Sequence, residues 1–402
     1  MIKIFNILNI YLMQLNNIVI MAAAGAGKTY DICKEVIANA KMTNKKILIT
    51  TYTNKGIESI EKEYKKQNNG VIDKNVVILS WFQFLLRELV KPYQSSILSR
   101  INVINSIDFN HQYGYINFNS RGTPKHYILS NNNILSNTVS EFAIDSNTNS
   151  NSKVMKRLEE IYSYIYIDEI QDLAGEDIEI LNLLFNSKIR VQCVGDVKQS
   201  TYTTYNAKKN KKVTGIHFID YFKELERNGI ITLKFKNKTR RFGTEICEFS
   251  NSIFDDNNKI ESDIIYNKEN QGVYLLDRKN FEDYYKVYKP QILKFDAKTK
   301  IDYASLNFGQ CKGMTFDRVA IFPNKKYKEF LQKGASLDSP CKYYVSATRA
   351  KYSIVFVVDK LFENDKFKYT SIELESNNIK VSKYNLWENK KVLQNLKTYV
   401  KL

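Results

Sequence analysis

Cysteine and histidine are scarce in this sequence, and their scarcity argues against two classes of protein. The 402 residues include five cysteines, which are odd in number and never closer together than 30 positions. Cysteines spaced in this way form neither a disulfide framework nor a CxxC metal site. The three histidines have no cysteine or second histidine beside them, which disfavours a zinc enzyme. We therefore expect a protein of a reducing compartment.

An uninterrupted membrane-spanning run is also missing near the start of the chain. Residues 1–21 resemble a signal or membrane anchor, but asparagines interrupt them and no small-residue cleavage site precedes the glycine-rich stretch that follows. A helix that leads into a buried strand at 17–22 is the better interpretation. We expect a cytoplasmic protein with no membrane contact.

Acidic side chains are outnumbered by basic ones. The chain has 60 Lys and Arg against 43 Asp and Glu, a net charge of +17. Such a surplus is typical of proteins that bind polyanions. An AT-rich genome produces the same lysine-rich and asparagine-rich composition by codon bias, so charge alone leaves nucleic-acid binding and a solvated basic surface as equal alternatives.

Short apolar runs that end in Asp, Gly, Ser or Thr recur along the first half of the chain. They lie at 17–22, 46–51, 75–80, 164–169 and 191–196. Runs of this kind, alternating with helical stretches, predict an α/β fold with buried parallel strands, whose polar residues stand at the carboxyl ends where ligands bind.

The length and the later strand pattern predict more than one domain. Further strands at 230–235, 318–322 and 353–358 indicate a second α/β unit after a break near residue 225. Within the first set, between the runs at 75–80 and 164–169, the pattern degrades from about 97 to 153 into Asn, Ser and Thr, which indicates an insertion. The predicted domains are a first at 1–80 and 156–225, an inserted subdomain at 81–155 and a second at 226–402.

The segment AAAGAGKTY (22–30) joins a predicted strand to a predicted helix. A bound phosphate needs converging backbone N–H groups without side chains in the way, which Gly25 and Gly27 allow, and a helix amino terminus. Lys28 adds a cation and Thr29 a hydroxyl that can hold Mg²⁺. The strict pattern GxxxxGK[ST] fails at its first position, which is Ala22, so this match alone leaves other interpretations open.

A pair of carboxylates ends the run at 164–169, in the sequence IYIDEIQD (165–172). Asp168 at the strand end can hold Mg²⁺ through water, and Glu169 can take a proton from the water that attacks a γ-phosphate. A solvated turn is the alternative. The presence of the lysine loop in the same chain favours catalysis.

Seven segments in one order resemble the motifs of superfamily 1 helicases of the UvrD type. They are AAAGAGKT (22–29), TTYTNKG (50–56), DEIQD (168–172), VGDVKQSTY (194–202), KTRRF (238–242), GQCKGMTFD (309–317) and YVSATRAK (344–351). The resemblance implies two RecA-like P-loop NTPase domains with parallel sheets, with ATP between them and single-stranded DNA across their tops. It also implies ATP and Mg²⁺ as cofactors.

The resemblance assigns roles residue by residue. The implied nucleotide-binding residues are Ala24, Gly25, Ala26, Gly27, Lys28, Thr29, Asp168 and Arg240. Thr29 and Asp168 would hold the metal, and Glu169 would be the general base. The implied catalytic residues of the later motifs are Gln199, which senses the γ-phosphate, and Arg241 and Arg349, which stabilise its charge. A surface cation is the alternative for each arginine.

Some positions depart from the family pattern. The family has Asn-Tyr-Arg where this chain has Thr239, Arg240 and Arg241, and a glutamine motif that reads adenine is not found. Arg240 could stack on the base in place of the tyrosine. Either base recognition is weak or the natural start lies upstream.

The resemblance also implies a path for single-stranded DNA. The candidate DNA-binding residues are Thr51, Asn54, Lys55, Ser80, Trp81, Tyr202, Tyr205 and Lys312. Core packing and base stacking are equal alternatives for Trp81. Four lysines at 208–212 beside the two tyrosines form either a phosphate track or a solvated face.

The segment between motifs IV and V, residues 243–308, is too short for the duplex-binding domain of large family members. We expect a small insert in the first domain and no large insert in the second. The size resembles UvrD-like proteins paired with nucleases in antiviral systems such as Gabija. The leading hypothesis is an ATP-dependent helicase or translocase moving 3′ to 5′ on single-stranded DNA or from DNA ends. The alternative is a DNA- or nucleotide-sensing ATPase that switches a partner nuclease.

Overall fold

The computed structural model describes residues 17–98, 103–110, 120–200, 210, 213, 215–374 and 377–385. Two compact units divide the chain. The first comprises Met1–Ala22, Gly27–Val197 and Tyr202–Phe235, and the second comprises Ala23–Ala26, Lys198–Thr201 and Lys236–Leu402. Each contains a sheet with parallel strands and flanking helices, which confirms the predicted α/β class with RecA-like domains. No helix in the described part is long and apolar enough to cross a membrane.

The first unit alternates strands and helices. In chain order its elements are β1 (Ile18–Ala22), α1 (Lys28–Ala40), β2 (Lys46–Thr51), α2 (Asn54–Gln67), β3 (Val76–Ser80), α3 (Trp81–Phe84), β4 (Ile107–Asp108), α4 (Pro124–Tyr127), β5 (Ile134–Leu135), α5 (Val139–Asn149), α6 (Lys153–Ile161), β6 (Tyr162–Asp168), α7 (Asp177–Phe185), β7 (Arg190–Gly195), α8 (Phe218–Arg227) and β8 (Thr232–Lys236). Six of the strands form one sheet in the order β3, β2, β6, β7, β1, β8.

The pairings along this sheet decide where the polar strand ends lie. β3 pairs with β2, β2 with β6, β6 with β7 and β7 with β1, all in parallel. The carboxyl ends of these strands therefore meet at one edge, which we call the catalytic edge. The glycine loop, Thr51, Asp168 and Gly195 stand at or next to it.

One strand was assigned to the wrong unit by the sequence pattern. The run at 230–235 was predicted to open the second α/β unit, but β8 lies beside β1 in the first sheet. Thr232 N donates to Asn17 O at 2.8 Å, next to the start of β1. Helix α8 brings the chain back to this side of the sheet. The apolar sequence of a strand does not specify which neighbouring strand it pairs with.

Residues 81–155 build on the core of the first unit. After α3 the chain makes a π-helical turn at Leu85–Val90 and a 3₁₀ turn at Lys91–Ser96, and β4 pairs in parallel with β5. Leu89 and Phe142 belong to the same buried apolar cluster as Ile165 of β6. The described part of the insertion therefore shares its core with the sheet.

The second unit is built around a seven-stranded sheet. Its elements are α9 (Thr244–Asn251), β9 (Gly272–Asp277), α10 (Phe281–Tyr288), β10 (Gln291–Lys294), β11 (Ser305–Asn307), β12 (Phe316–Phe322), α11 (Lys325–Lys333), α12 (Pro340–Ala347), β13 (Ala350–Val358), β14 (Phe367–Leu374) and β15 (Asn377–Tyr384). The order is β11, β10, β12, β13, β9, β15, β14, with the last two strands antiparallel to each other. Residues 243–308 hold ordinary elements of this sheet and no additional domain.

Candidate functional site

The glycine loop between β1 and α1 turns sharply at two positions. Gly25 has φ +76° and Gly27 has φ +82°, a backbone region that residues with a Cβ rarely adopt. Gly27 caps α1 without a side-chain acceptor, so the first N–H groups of this 13-residue helix lie next to the loop. Ala24 and Ala26 are buried, and their methyl side chains add no polar group to the loop. This geometry suits an anion at the helix amino terminus.

Two oxygen ligands and a cation meet at the catalytic edge of the first unit. Thr29 Oγ1 donates to Asp168 Oδ2 at 3.0 Å, and Lys28 Nζ lies 3.5 Å from Ala22 O. Burial and then the charge of Glu169 raise the pKa of the Asp168 carboxyl, while Lys28 and the Thr29 hydroxyl lower it. A buried carboxylate beside a hydroxyl is the kind of oxygen donor set that Mg²⁺ accepts.

The predicted general base stands directly after Asp168 in a strained conformation. Glu169 has φ 58° and ψ 45°, a left-handed backbone that costs a non-glycine residue about 1–3 kcal/mol. Its N–H donates to Asp168 Oδ1 at 2.9 Å, and its carboxylate accepts a hydrogen bond from Gln171 Nε2. Backbone strain of this kind concentrates at functional sites.

Gln171 is a site residue that sequence reasoning missed. It is 2% exposed, and besides binding Glu169 its Oε1 accepts from Asp196 N at 2.9 Å. Its position inside DEIQD was the available signal, but its second partner lies 25 positions away and becomes visible only in the fold.

The predicted residues of motifs III, IV and VI that belong to the second unit also gather. Arg349 Nη2 donates to Gln199 Oε1 at 2.9 Å, and Arg241 Nη1 donates to Thr348 O at 2.9 Å. Arg349 is 1% exposed and also donates to Val345 O, which excludes its interpretation as a surface cation. Arg240 is exposed, and its N–H donates to Gly25 O at 2.8 Å.

Thr51 ends β2 with a buried hydroxyl. Among the described side chains, Thr51 Oγ1 and Thr50 Oγ1 are buried atoms with no hydrogen-bond partner. A Cβ at Gly56 would lie 2.7 Å from Thr51 Oγ1, so this hydroxyl sits against the first turn of α2. Asn54 and Lys55 are exposed in the same turn. The predicted motif Ia residues are therefore brought together.

Two predicted DNA-binding residues have structural roles in the described fold. Ser80 and Gln83 form a capping box at the start of α3, because Ser80 Oγ accepts from Gln83 N and Gln83 Oε1 accepts from Ser80 N. Trp81 is 1% exposed, and its Nε1 donates to Asp177 Oδ1 at 2.8 Å. The core alternative is correct for Trp81, since no ring face remains for a base.

The other predicted DNA-binding residues lie in motif V and beyond motif III. Lys312 is half-buried in the turn between β11 and β12. Tyr202, Tyr205 and the lysines at 208–212 lie outside the described residues, and their role stays a prediction.

Two family profiles match the sequence of this chain. A sequence profile described as an AAA domain matches residues 8–205, and one described as a viral superfamily 1 RNA helicase core domain matches residues 123–358. No curated protein matches the chain.

Solved structures of one viral helicase align with the chain. A crystal structure of Arterivirus nonstructural protein 10, a helicase, has a TM-score of 0.43 and 13% identity over 87% of this chain and 62% of that chain. The structure of that helicase in complex with DNA gives a TM-score of 0.44 with the same identity and coverage. The aligned part is thus less than two thirds of those helicases.

Proposed function

We propose, starting from the premise that this chain belongs to the viral superfamily 1 RNA helicase core domain family, that it is a Mg²⁺-dependent ATPase coupled to movement along single-stranded DNA. The observation that carries the proposal is the grouping of Lys28, Thr29, Asp168 and Glu169 at one edge of a parallel sheet. A cation, two oxygen ligands and an adjacent carboxylate are the parts that phosphoryl transfer to water requires.

Each group has a distinct task in this proposal. The backbone N–H groups at Gly27 and the Lys28 ammonium bind the β- and γ-phosphates, and Thr29 and Asp168 would hold Mg²⁺, which neutralises phosphate charge when bound. Glu169 accepts a proton from the water whose oxygen attacks the γ-phosphorus as the bond to ADP breaks. We assign Gln199, Arg241 and Arg349 to the response to the γ-phosphate, as the resemblance implies.

The strand-binding part of the proposal rests on the end of β2. Thr51 is buried there, and the exposed groups that a strand can reach are the Lys55 ammonium and the Asn54 amide in the first turn of α2. A cation, an amide and a helix amino terminus suit a phosphate of the strand. Phosphate contacts carry no sequence information, so we expect binding without sequence preference.

The experiment that tests the proposal is ATP turnover by the purified chain with Mg²⁺, alone and with single-stranded DNA, single-stranded RNA or duplex DNA. We expect single-stranded DNA to raise turnover several-fold and duplex DNA to have little effect. Strand displacement from substrates with a 3′ or a 5′ tail then tests the proposed 3′ to 5′ direction. Absence of hydrolysis under all conditions would overturn the proposal, and a preference for RNA would change its substrate.

The resemblance of the motifs to those of UvrD-type helicases leads to an alternative function. A DNA- or nucleotide-sensing ATPase that switches a cytoplasmic nuclease partner, as in Gabija-like antiviral systems, has the same nucleotide site. It differs in its output, since DNA would stimulate hydrolysis without strand displacement. The displacement assay therefore separates the two.

Replacing Lys55 by methionine tests the strand contact. The substitution removes an exposed charge and keeps the apolar stem of the side chain, so thermal stability should change little. Affinity for single-stranded DNA, measured by fluorescence anisotropy, should fall about tenfold, as expected for a lost hydrogen bond to a charged group.

Lys66→Met is the matched control for this experiment. Lys66 is an exposed lysine in the last turn of α2, at the other end of the helix from Lys55. We expect its affinity for DNA to remain that of the wild type. Wild-type affinity in Lys55→Met as well would show that Lys55 makes no contact with the strand.

A further inference from the structure

The amide of Gln171 connects the ends of two neighbouring strands in the first unit. Its Nε2 donates to Glu169 Oε2, and its Oε1 accepts from Asp196 N at 2.9 Å. A backbone N–H can only donate, so it holds the amide oxygen toward Asp196 and leaves the NH₂ group to face the carboxylate. The orientation of the amide is thus fixed by the backbone that follows β7.

Gly195 provides the space that this amide occupies. A Cβ at this position would lie 2.4 Å from Gln171 Oε1 and 2.6 Å from Ile170 Cγ2. Gly195 is not among the glycines with positive φ, so its backbone conformation would accept another residue. Crowding against the 3₁₀ turn at Ile170–Asp172 is therefore the physical reason for a glycine here.

We propose that Gln171 is a positioning residue, which holds the Glu169 carboxylate in the orientation that accepts the proton of the attacking water. The inference rests on the proposed function, in which Glu169 is the general base. Glu169 has a left-handed backbone, and its side chain needs a fixed partner to keep one orientation. Gln171 supplies a charge-assisted hydrogen bond from a buried site that is itself anchored on Asp196.

Two substitutions separate positioning of Glu169 from support of the backbone at Asp196. Gln171→Met keeps the length of the side chain but loses both hydrogen bonds. Gln171→Glu keeps an oxygen acceptor for Asp196 N and replaces the donor facing Glu169 by a carboxylate. A residue that only supports the backbone would tolerate the second change, whereas a residue that positions Glu169 would not.

Gln192→Met is the matched control. Gln192 is also a buried glutamine that donates to a carboxylate, with its Nε2 2.9 Å from Glu35 Oε2, but neither residue has a role in the proposed reaction. Steady-state ATP turnover with saturating single-stranded DNA gives kcat and KM, and thermal unfolding reports stability.

We expect both Gln171 variants to lower kcat by roughly tenfold to a hundredfold while KM for ATP changes by less than about threefold, because a displaced base affects the chemical step. Gly195→Ala should reproduce this loss by crowding the amide, and Gln192→Met should retain wild-type kcat. Wild-type kcat in Gln171→Glu, or equal changes in kcat and KM, would overturn the inference. If the wild-type chain itself does not hydrolyse ATP, the proposed function fails instead.

Discussion

Glu169→Gln is expected to leave nucleotide binding nearly intact and to lower turnover by about 10²–10⁴-fold. The amide has the shape of the carboxylate but cannot accept a proton from water at neutral pH. Because a general base acts only in the chemical step, the ground-state contacts of Lys28 and Thr29 with the nucleotide remain. Binding of a fluorescent ATP analogue and single-turnover hydrolysis measure the two quantities separately.

Glu35→Gln is the control for this substitution. Glu35 lies on α1, outside the glycine loop and the strand ends. It accepts hydrogen bonds from Tyr166 and Gln192. Its turnover should match the wild type. An equal loss of binding and turnover in Glu169→Gln would mark Glu169 as a structural residue of the turn rather than the base.

Much of the candidate nucleotide site could be predicted because its residues follow apolar strands. Asp168 and Thr51 each end a buried run, and in a parallel sheet such ends share one edge whatever the strand order. The sequence alone therefore places the glycine loop and the carboxylate pair together. The structure adds the 3.0 Å hydrogen bond from Thr29 Oγ1, just after the loop, to Asp168 Oδ2. The α/β class was predictable for the same reason.

Features that depend on distant packing could not be predicted in this way. Trp81 follows a polar strand end just as a stacking residue would, and its burial and its hydrogen bond to the carboxylate of Asp177 show that its ring belongs to the core. The run at 230–235 resembles the other strand runs in sequence, so the place of β8 beside β1 at the edge of the sheet is a property of the whole sheet. The hydrogen bond between Gln171 and Asp196 N depends on the room that Gly195 leaves for the amide.

Lys28→Met is expected to weaken ATP binding by about tenfold to a hundredfold, the effect of losing a hydrogen bond between charged groups. The ammonium of Lys28 has a single described hydrogen bond, to Ala22 O at the limiting distance of 3.5 Å. A bound phosphate would give it a much stronger partner. The methionine keeps the length and apolar stem of the side chain, so stability should change little.

Lys28→Met should also weaken Mg²⁺ binding. Lys28 is the cation that favours the ionised form of the buried Asp168 carboxyl, so its removal leaves that carboxylate less able to hold Mg²⁺. Titration with ATP analogue at several Mg²⁺ concentrations should therefore show a higher Mg²⁺ requirement. Lys34→Met, at an exposed position of the same helix, is the control and should bind as the wild type. Unchanged ATP affinity in Lys28→Met would place the phosphates away from the glycine loop. Loss of ATP binding in Lys28→Met, together with retained binding in Glu169→Gln, would show that Lys28 binds the nucleotide and that Glu169 acts in the chemical step.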